Sequence, residues 1–177
     1  MQVLLGITGG IAAYKTPEVV RALRRRGHQV RCVLTANAGR LVARDALAAV
    51  SGEAVHSELW PSDQGPGDGT MPHIDLARWA QAVVIAPLTA DTAARLALGL
   101  ADDLLTTLFL ALEPTIPVWL APAMNPVMWA KPVVQGHLTT LTAQGARLIP
   151  PVTGVLACGE EGIGAMADPE RIAEALG

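Results

Sequence analysis

Short unbroken apolar runs alternate along the chain with longer stretches in which apolar side chains recur every three or four positions. Val3-Leu4-Leu5-Gly6-Ile7 carries no charge, the pattern of a strand covered on both faces. Thr8-Gly9-Gly10 interrupts it. Helical spacing of Ala12, Val19, Val20 and Leu23 then predicts a helix over 11–26, stopped by Gly27. Pro17 lies inside that span and predicts an irregular or kinked first turn. A second strand is predicted over 29–34 and a helix of small residues over 37–50, which completes a right-handed crossover unit. The stretch 61–70 is crowded with Pro, Gly, Asp and Ser and reads as a surface loop, because strand–helix alternation resumes directly after it. Helices are then predicted over 73–80, 90–112, 133–144 and 168–176, and strands over 82–86, 117–121 and 147–149. No internal repeat is visible. The expected fold class is α/β: a single doubly wound (Rossmann/flavodoxin-like) domain over 1–177, with a mainly parallel sheet flanked by helices.

Composition narrows the function classes. The chain has 177 residues, 51% of them hydrophobic, enough for a sizeable core and incompatible with intrinsic disorder. With 13 basic against 16 acidic side chains the net charge is −3, which argues against a nucleic-acid partner. The one dense basic run, Arg24-Arg25-Arg26, ends a predicted helix, where cations complement the dipole; the other reading is a small phosphate patch. No apolar run reaches the roughly 20 residues of a membrane span, and no secretory leader pattern opens the chain, so no membrane association and a cytoplasmic location are expected. Cys32 falls in a predicted buried strand and reads as an inert core thiol.

Ligands of doubly wound sheets bind beyond the carboxyl ends of the strands, so candidate chemistry lies in the segments that follow them. Thr8-Gly9-Gly10-Ile11 joins a strand to a helical start, where backbone N–H groups can meet an anion; it is also readable as a plain tight turn. Thr35 offers a hydroxyl to the same crevice. His73 opens a helix behind the glycine-rich loop and offers an imidazole for proton transfer, with Arg78 five residues on able to hold a carboxylate or phosphate; the plainer reading of His73 is a surface residue or a helix cap. His28, His56 and His137 read as surface residues. In Pro122-Ala123-Met124-Asn125-Pro126-Val127-Met128-Trp129 two prolines flank an amide able to bind a carboxylate, or the segment is a proline-rich turn packing Met and Trp. Ala157-Cys158-Gly159-Glu160-Glu161-Gly162-Ile163-Gly164-Ala165-Met166 reads as a mobile flap, with Cys158 either a poised thiol or incidental. No second Cys or His stands at ligand spacing, so no metal is expected.

Taken together, these segments resemble the homo-oligomeric flavin-containing cysteine decarboxylases, and within them the branch acting on 4′-phosphopantothenoylcysteine. The resemblance runs through Gly6 to Lys15, His73-Ile74-Asp75-Leu76, Ala86-Pro87-Leu88-Thr89-Ala90, the P-x-M-N-x-x-M-W motif at Pro122 to Trp129, and A-C-G-E-E-G around Cys158. It implies an FMN-dependent carboxy-lyase of coenzyme A biosynthesis. The cysteine thiol is oxidised to a thioaldehyde, CO2 leaves, and the ene-thiol is reduced to 4′-phosphopantetheine. It also implies roles: His73 as base, Asn125 holding the substrate carboxylate, Cys158 as proton donor, and Arg78 and Met128 against the substrate. Gly9, Gly10, Ile11, Thr35, Leu41, Pro87, Leu88, Thr89 and Ala90 fall at FMN-contacting positions. Leu41 stands where relatives carry phenylalanine, and Asp91 where they carry asparagine. A homotrimer, or a dodecamer of trimers, is implied, with FMN and His73 meeting across a subunit boundary.

Bacterial relatives commonly continue into a ligase domain, whereas this chain ends at Gly177. The expectation is therefore a flavin-binding domain over 1–177 with no second ligase domain in it, either a stand-alone decarboxylase with any ligase supplied separately or the N-terminal part of a longer bifunctional protein. Competing readings are a peptidyl-cysteine oxidative decarboxylase, a flavin prenyltransferase and a non-catalytic FMN-binding regulatory subunit. Cys158 speaks against the first, and His73 with the P-x-M-N-x-x-M-W motif against the second. Pyridoxal phosphate is a poor alternative, since Lys15 and Lys131 sit in no recognisable Schiff-base site.

Overall fold

The computed structural model describes residues 1–60, 71–155, 159 and 161–177. The predicted loop 61–70 and Cys158 lie outside the described residues. Six parallel strands form one sheet: β1 (Gln2–Ile7), β2 (Gln29–Leu34), β3 (Val55–His56), β4 (Ala82–Leu88), β5 (Val118–Pro122) and β6 (Arg147–Leu148). Their order is β3-β2-β1-β4-β5-β6, the doubly wound arrangement in which direction reverses between β1 and β4. At mid-sheet Leu5 pairs with Cys32 on one side and Val84 on the other.

Each central strand is apolar on both faces because both are covered. Val3, Leu5 and Ile7 pack under α1 (Thr16–Arg25), α2 (Arg44–Ser51) and α8 (Pro169–Glu174), through Val19, Val20, Leu23, Leu47 and Ile172. Leu4, Val83, Ile85 and Leu120 pack under α3 (Pro72–Trp79), α4 (Ala90–Leu98), α5 (Leu104–Leu110) and α7 (Pro132–Ala143). Cys32 is fully buried, which pushes its thiol up to about 12, and the core-thiol expectation holds. The arginine run acts as a helix end: Arg25 pairs with Glu170, and Arg26 with Glu174 at 3.2 Å, tying α1 to α8.

Several expectations are corrected. The helix predicted over 11–26 begins as a 3-10 turn, Ile11–Lys15, and becomes α-helical at Thr16 with Pro17 in the first turn, where its missing N–H is tolerated. The span 37–50 is a 3-10 turn, Ala38–Arg40, then α2; the chain straightens at Ala43 and buries Val42 between them. The single helix predicted over 90–112 is two. Gly99 takes the left-handed conformation (φ 69°) that closes α4, and Asp103 restarts the chain by accepting the Thr106 N–H at 2.7 Å. Residues Pro126–Trp129 form one helical turn, α6. Within the predicted flap, Glu161–Ala165 is a strand, β8, that pairs antiparallel with β7 (Val152–Val155) just before it. His28 is buried rather than on the surface, with Nδ1 3.4 Å from the Met1 ammonium.

Candidate functional site

A cavity of about 600 Å3 opens where the strand order reverses. Its walls are the turns after three strands and the face of the β8 strand. Gly9, Gly10, Ile11, Tyr14 and Lys15 follow β1; Thr89, Ala90 and Asp91 follow β4; Met124, Asn125 and Met128 follow β5. Gly164 to Met166 close the fourth side.

Close backbone approach explains the glycines. A Cβ on Gly9 would lie 2.4 Å from the Asn37 Cβ, and one on Gly10 3.3 Å from the Thr89 methyl. Gly164 holds φ 151°, and a Cβ there would lie 2.1 Å from the Met124 carbonyl oxygen. That contact accompanies a hydrogen bond in which Met124 N–H donates to the Gly164 carbonyl at 2.9 Å, so β8 is stitched to the segment after β5.

The β4–α4 turn presents donors. Thr89 caps α4: its hydroxyl accepts the Thr92 N–H at 3.2 Å, and its carbonyl takes the Ala93 N–H at 2.9 Å. The N–H groups of Ala90 and Asp91, in the first turn, have no acceptor within the helix and lie at the cavity wall. Lys15 adds a cation on the same wall, with its Nζ 5.9 Å from the Tyr14 ring centre. The Asp91 carboxylate is balanced by Arg95 at 3.0 Å, and Arg95 also binds Asp102 at 2.6 Å. The Arg95 hydrogen bond lowers the Asp102 pKa. Ile11, Met124, Met128 and Met166 supply an apolar wall suited to a flat ring.

Of the residues singled out from sequence, Gly9, Gly10, Ile11, Thr89, Ala90, Asn125 and Met128 line this cavity. Asn125 caps α6 by accepting the Val127 N–H at 2.8 Å, which fixes the plane of its amide. Pro87 and Leu88 have buried side chains behind the wall, and their carbonyls accept from Thr8 and from the Ala123 N–H. Thr35 is half-buried at the end of β2, its N–H bound to the Ile7 carbonyl, and Leu41 packs on the core beside it. His73 and Arg78 are not among the lining residues. They lie on α3, which packs through Leu76 and Ala77 against the α5 side of the sheet. Arg78 is exposed, and the buried Nδ1 of His73 has no hydrogen-bond partner among the described residues. Sequence reasoning passed over Tyr14 and Lys15 as site residues. The 3-10 start that brings them to the cavity was signalled by glycines followed so closely by Pro17.

A switch-point cavity with a glycine cradle, helix-terminal donors and an apolar wall defines a doubly wound protein built to hold a phosphorylated ligand with a flat ring. The profile of the flavoprotein family matches residues 1–176, and the chain belongs to that family. The coenzyme A biosynthesis bifunctional protein CoaBC of Haemophilus influenzae is 47% identical over 174 residues, 98% of this chain and 42% of that protein. The chain thus spans less than half the length of that relative. Among solved structures, a PPC decarboxylase, determined as a cysteine-to-serine variant with pantothenoylaminoethenethiol, superposes with TM-score 0.89 and 37% identity, covering 99% of this chain and 95% of that one. The FMN-binding protein AtHal3 gives TM-score 0.84 and 37% identity over 99% of this chain and 94% of its own.

Proposed function

We propose that this chain binds FMN in the switch-point cavity and decarboxylates 4′-phosphopantothenoylcysteine to 4′-phosphopantetheine, a step of coenzyme A biosynthesis. The observation that carries the reading is the meeting of the P-x-M-N-x-x-M-W segment, through Met124, Asn125 and Met128, with the glycine turn and the α4 terminus around one cavity. The residues present fit FMN. Gly9 and Gly10 let the turn pack directly on Asn37 and Thr89, where a Cβ would lie at 2.4 and 3.3 Å, the Ala90 and Asp91 N–H groups suit a phosphate or polar ring edge, and the methionine wall suits the isoalloxazine. When bound, FMN supplies the electron sink that a cysteine carboxylate lacks.

In this reading Asn125, its amide plane fixed by the Val127 N–H, holds the substrate carboxylate beside Met128. His73 removes the thiol proton, Arg78 binds an anionic part of the substrate, and Cys158, outside the described residues, returns a proton to the product carbon. His73 and Arg78 reach the cavity of a neighbouring copy, so the working form is a homotrimer or an assembly of trimers. An apolar cavity mouth supports this: Ile11, Tyr14 and Met128 are 57%, 61% and 46% exposed, and Val127 and Ile163 lie nearby at 62% and 44%.

The test begins with the absorption spectrum of the purified protein and identification of any released chromophore, followed by turnover of the substrate by Asn125→Asp. Released FMN with a slowed variant, like charge now facing the carboxylate, supports the reading. A protein that neither carries nor takes up FMN, or an unslowed variant, contradicts it.

A further inference from the structure

Thr8 directly follows β1 and is fully buried. A buried hydroxyl must find partners or destabilise the fold, and the partners it finds here are informative. It donates to the Pro87 carbonyl at 2.6 Å and accepts the Thr89 N–H at 3.1 Å. Its own carbonyl accepts the Gly10 N–H at 2.8 Å. One residue therefore holds the glycine turn through its backbone and the β4–α4 turn through its side chain.

The position of this tether matters. Pairing of β1 with β4 runs from Val3 opposite Ala82 to Gly6 opposite Ile85, and stops there. Beyond that point β4 also shifts register against β5, between Ile85 and Leu88. The two turns that wall the cavity, Gly9–Ile11 and Thr89–Asp91, thus lie past the end of the β1–β4 ladder. At that place the Thr8 hydroxyl replaces the ladder. The spacing it holds is tight, since a Cβ on Gly10 would meet the Thr89 methyl at 3.3 Å and the Pro87 ring at 3.5 Å.

We infer that Thr8 is a positioning residue for the cofactor, setting the distance between the glycine turn and the start of α4 through its two side-chain hydrogen bonds. The inference rests on the flavin reading above. Thr8→Val keeps the shape and removes both bonds, and Thr8→Ser keeps the hydroxyl and removes the methyl. Apoprotein of each is titrated with FMN by quenching of flavin fluorescence, beside thermal unfolding of the same samples. Two hydrogen bonds at ordinary strength predict FMN affinity about ten- to a hundred-fold weaker for Thr8→Val. Thr8→Ser is predicted to stay within about threefold of the unaltered chain, as one lost methyl in a pocket that keeps both bonds has a small effect.

Unchanged affinity in Thr8→Val overturns the inference. So does a loss in Thr8→Ser as large as in Thr8→Val, which would make the role one of packing. Should Thr8→Val fail to fold, amide exchange in the unaltered apoprotein decides: the Thr89 N–H is expected to be protected, and exchange at the rate of an open amide overturns the tether. An unaltered chain that takes up no FMN refutes the flavin reading instead, and the Thr89 amide still reports on the tether.

Discussion

Replacing Gly9 by alanine tests the cavity from its glycine-turn wall. The added Cβ would lie 2.4 Å from the Asn37 Cβ, with the Asn37 carbonyl carbon and Cα at 3.3 and 3.4 Å. Carbon atoms in contact sit about 3.5–4.0 Å apart, so the turns must part by roughly 1 Å or more. The Asn37 side cannot give by rotating a side chain, because the contact is with its Cβ and backbone. Its segment is also bound as a unit: Thr35 accepts the Ala38 N–H at 3.0 Å, and Asn37 accepts the Arg40 N–H at 3.3 Å. In the apoprotein the glycine turn relaxes away from Asn37 toward the open cavity, and ligand binding must push it back. Overpacking of this kind costs about 1–3 kcal/mol, which is about a 5- to 150-fold loss of FMN affinity. Titration of the apoprotein with FMN reads the loss. Asn37→Gly in the same chain removes the opposing Cβ and should restore most of it. Undiminished affinity in Gly9→Ala, or no recovery in the double variant, would refute the steric account.

Three further outcomes are expected. His28 has its pKa lowered by burial, by the Met1 ammonium and by Arg26, and His56 has its own lowered by burial and by Arg31 and Arg44. A lowered folded-state pKa means that the unfolded chain takes up protons first. Stability is then full above about 6.5 and falls as pH drops below it, by up to about 1.4 kcal/mol per pH unit for each histidine. Urea midpoints should show that slope, and His28→Gln should reduce it; a flat profile in the unaltered chain contradicts the burial argument. Cys32, its thiol raised to about 12, should stay unmodified by iodoacetamide at about pH 8 and react once guanidinium unfolds the chain. Peptide mapping that finds it alkylated in the native protein would overturn its placement. Asp103→Ala removes the cap that starts α5 and should cost about 1 kcal/mol, a fall of about 2–4 °C in Tm; an unchanged Tm would show that the cap carries little.

What the sequence disclosed follows from which signals are local. β1, β4 and β5 are covered on both faces, so each carries an unbroken apolar run that identifies it, and β2 is legible through Cys32-Val33-Leu34 although Arg31 interrupts it. β3 and β6 are two-residue edge strands with no period to read. The split between α4 and α5 was written in Gly99 and in Asp103 with Thr106, but apolar residues continue across it and mask the break. The glycine-rich 157–166 segment was readable as irregular; the pairing of its Glu161–Ala165 part with Val152–Val155 depends on partners outside the segment. At the site, glycines and prolines just after strands pointed to the cavity because ligands of such sheets bind there. Thr8 was not, since an ordinary threonine acquires its role only when β4 ends beside β1. Nor did spacing place His73, because it identifies the helix a residue belongs to and not what that helix faces.

The most direct test of the central claim is incubation of the FMN-loaded protein with 4′-phosphopantothenoylcysteine under reducing conditions, with mass analysis of the product. The expected product is 4′-phosphopantetheine, formed with loss of CO2. Unchanged substrate would contradict the decarboxylase reading, and a product that stops at the ene-thiol would contradict the reductive half assigned to Cys158.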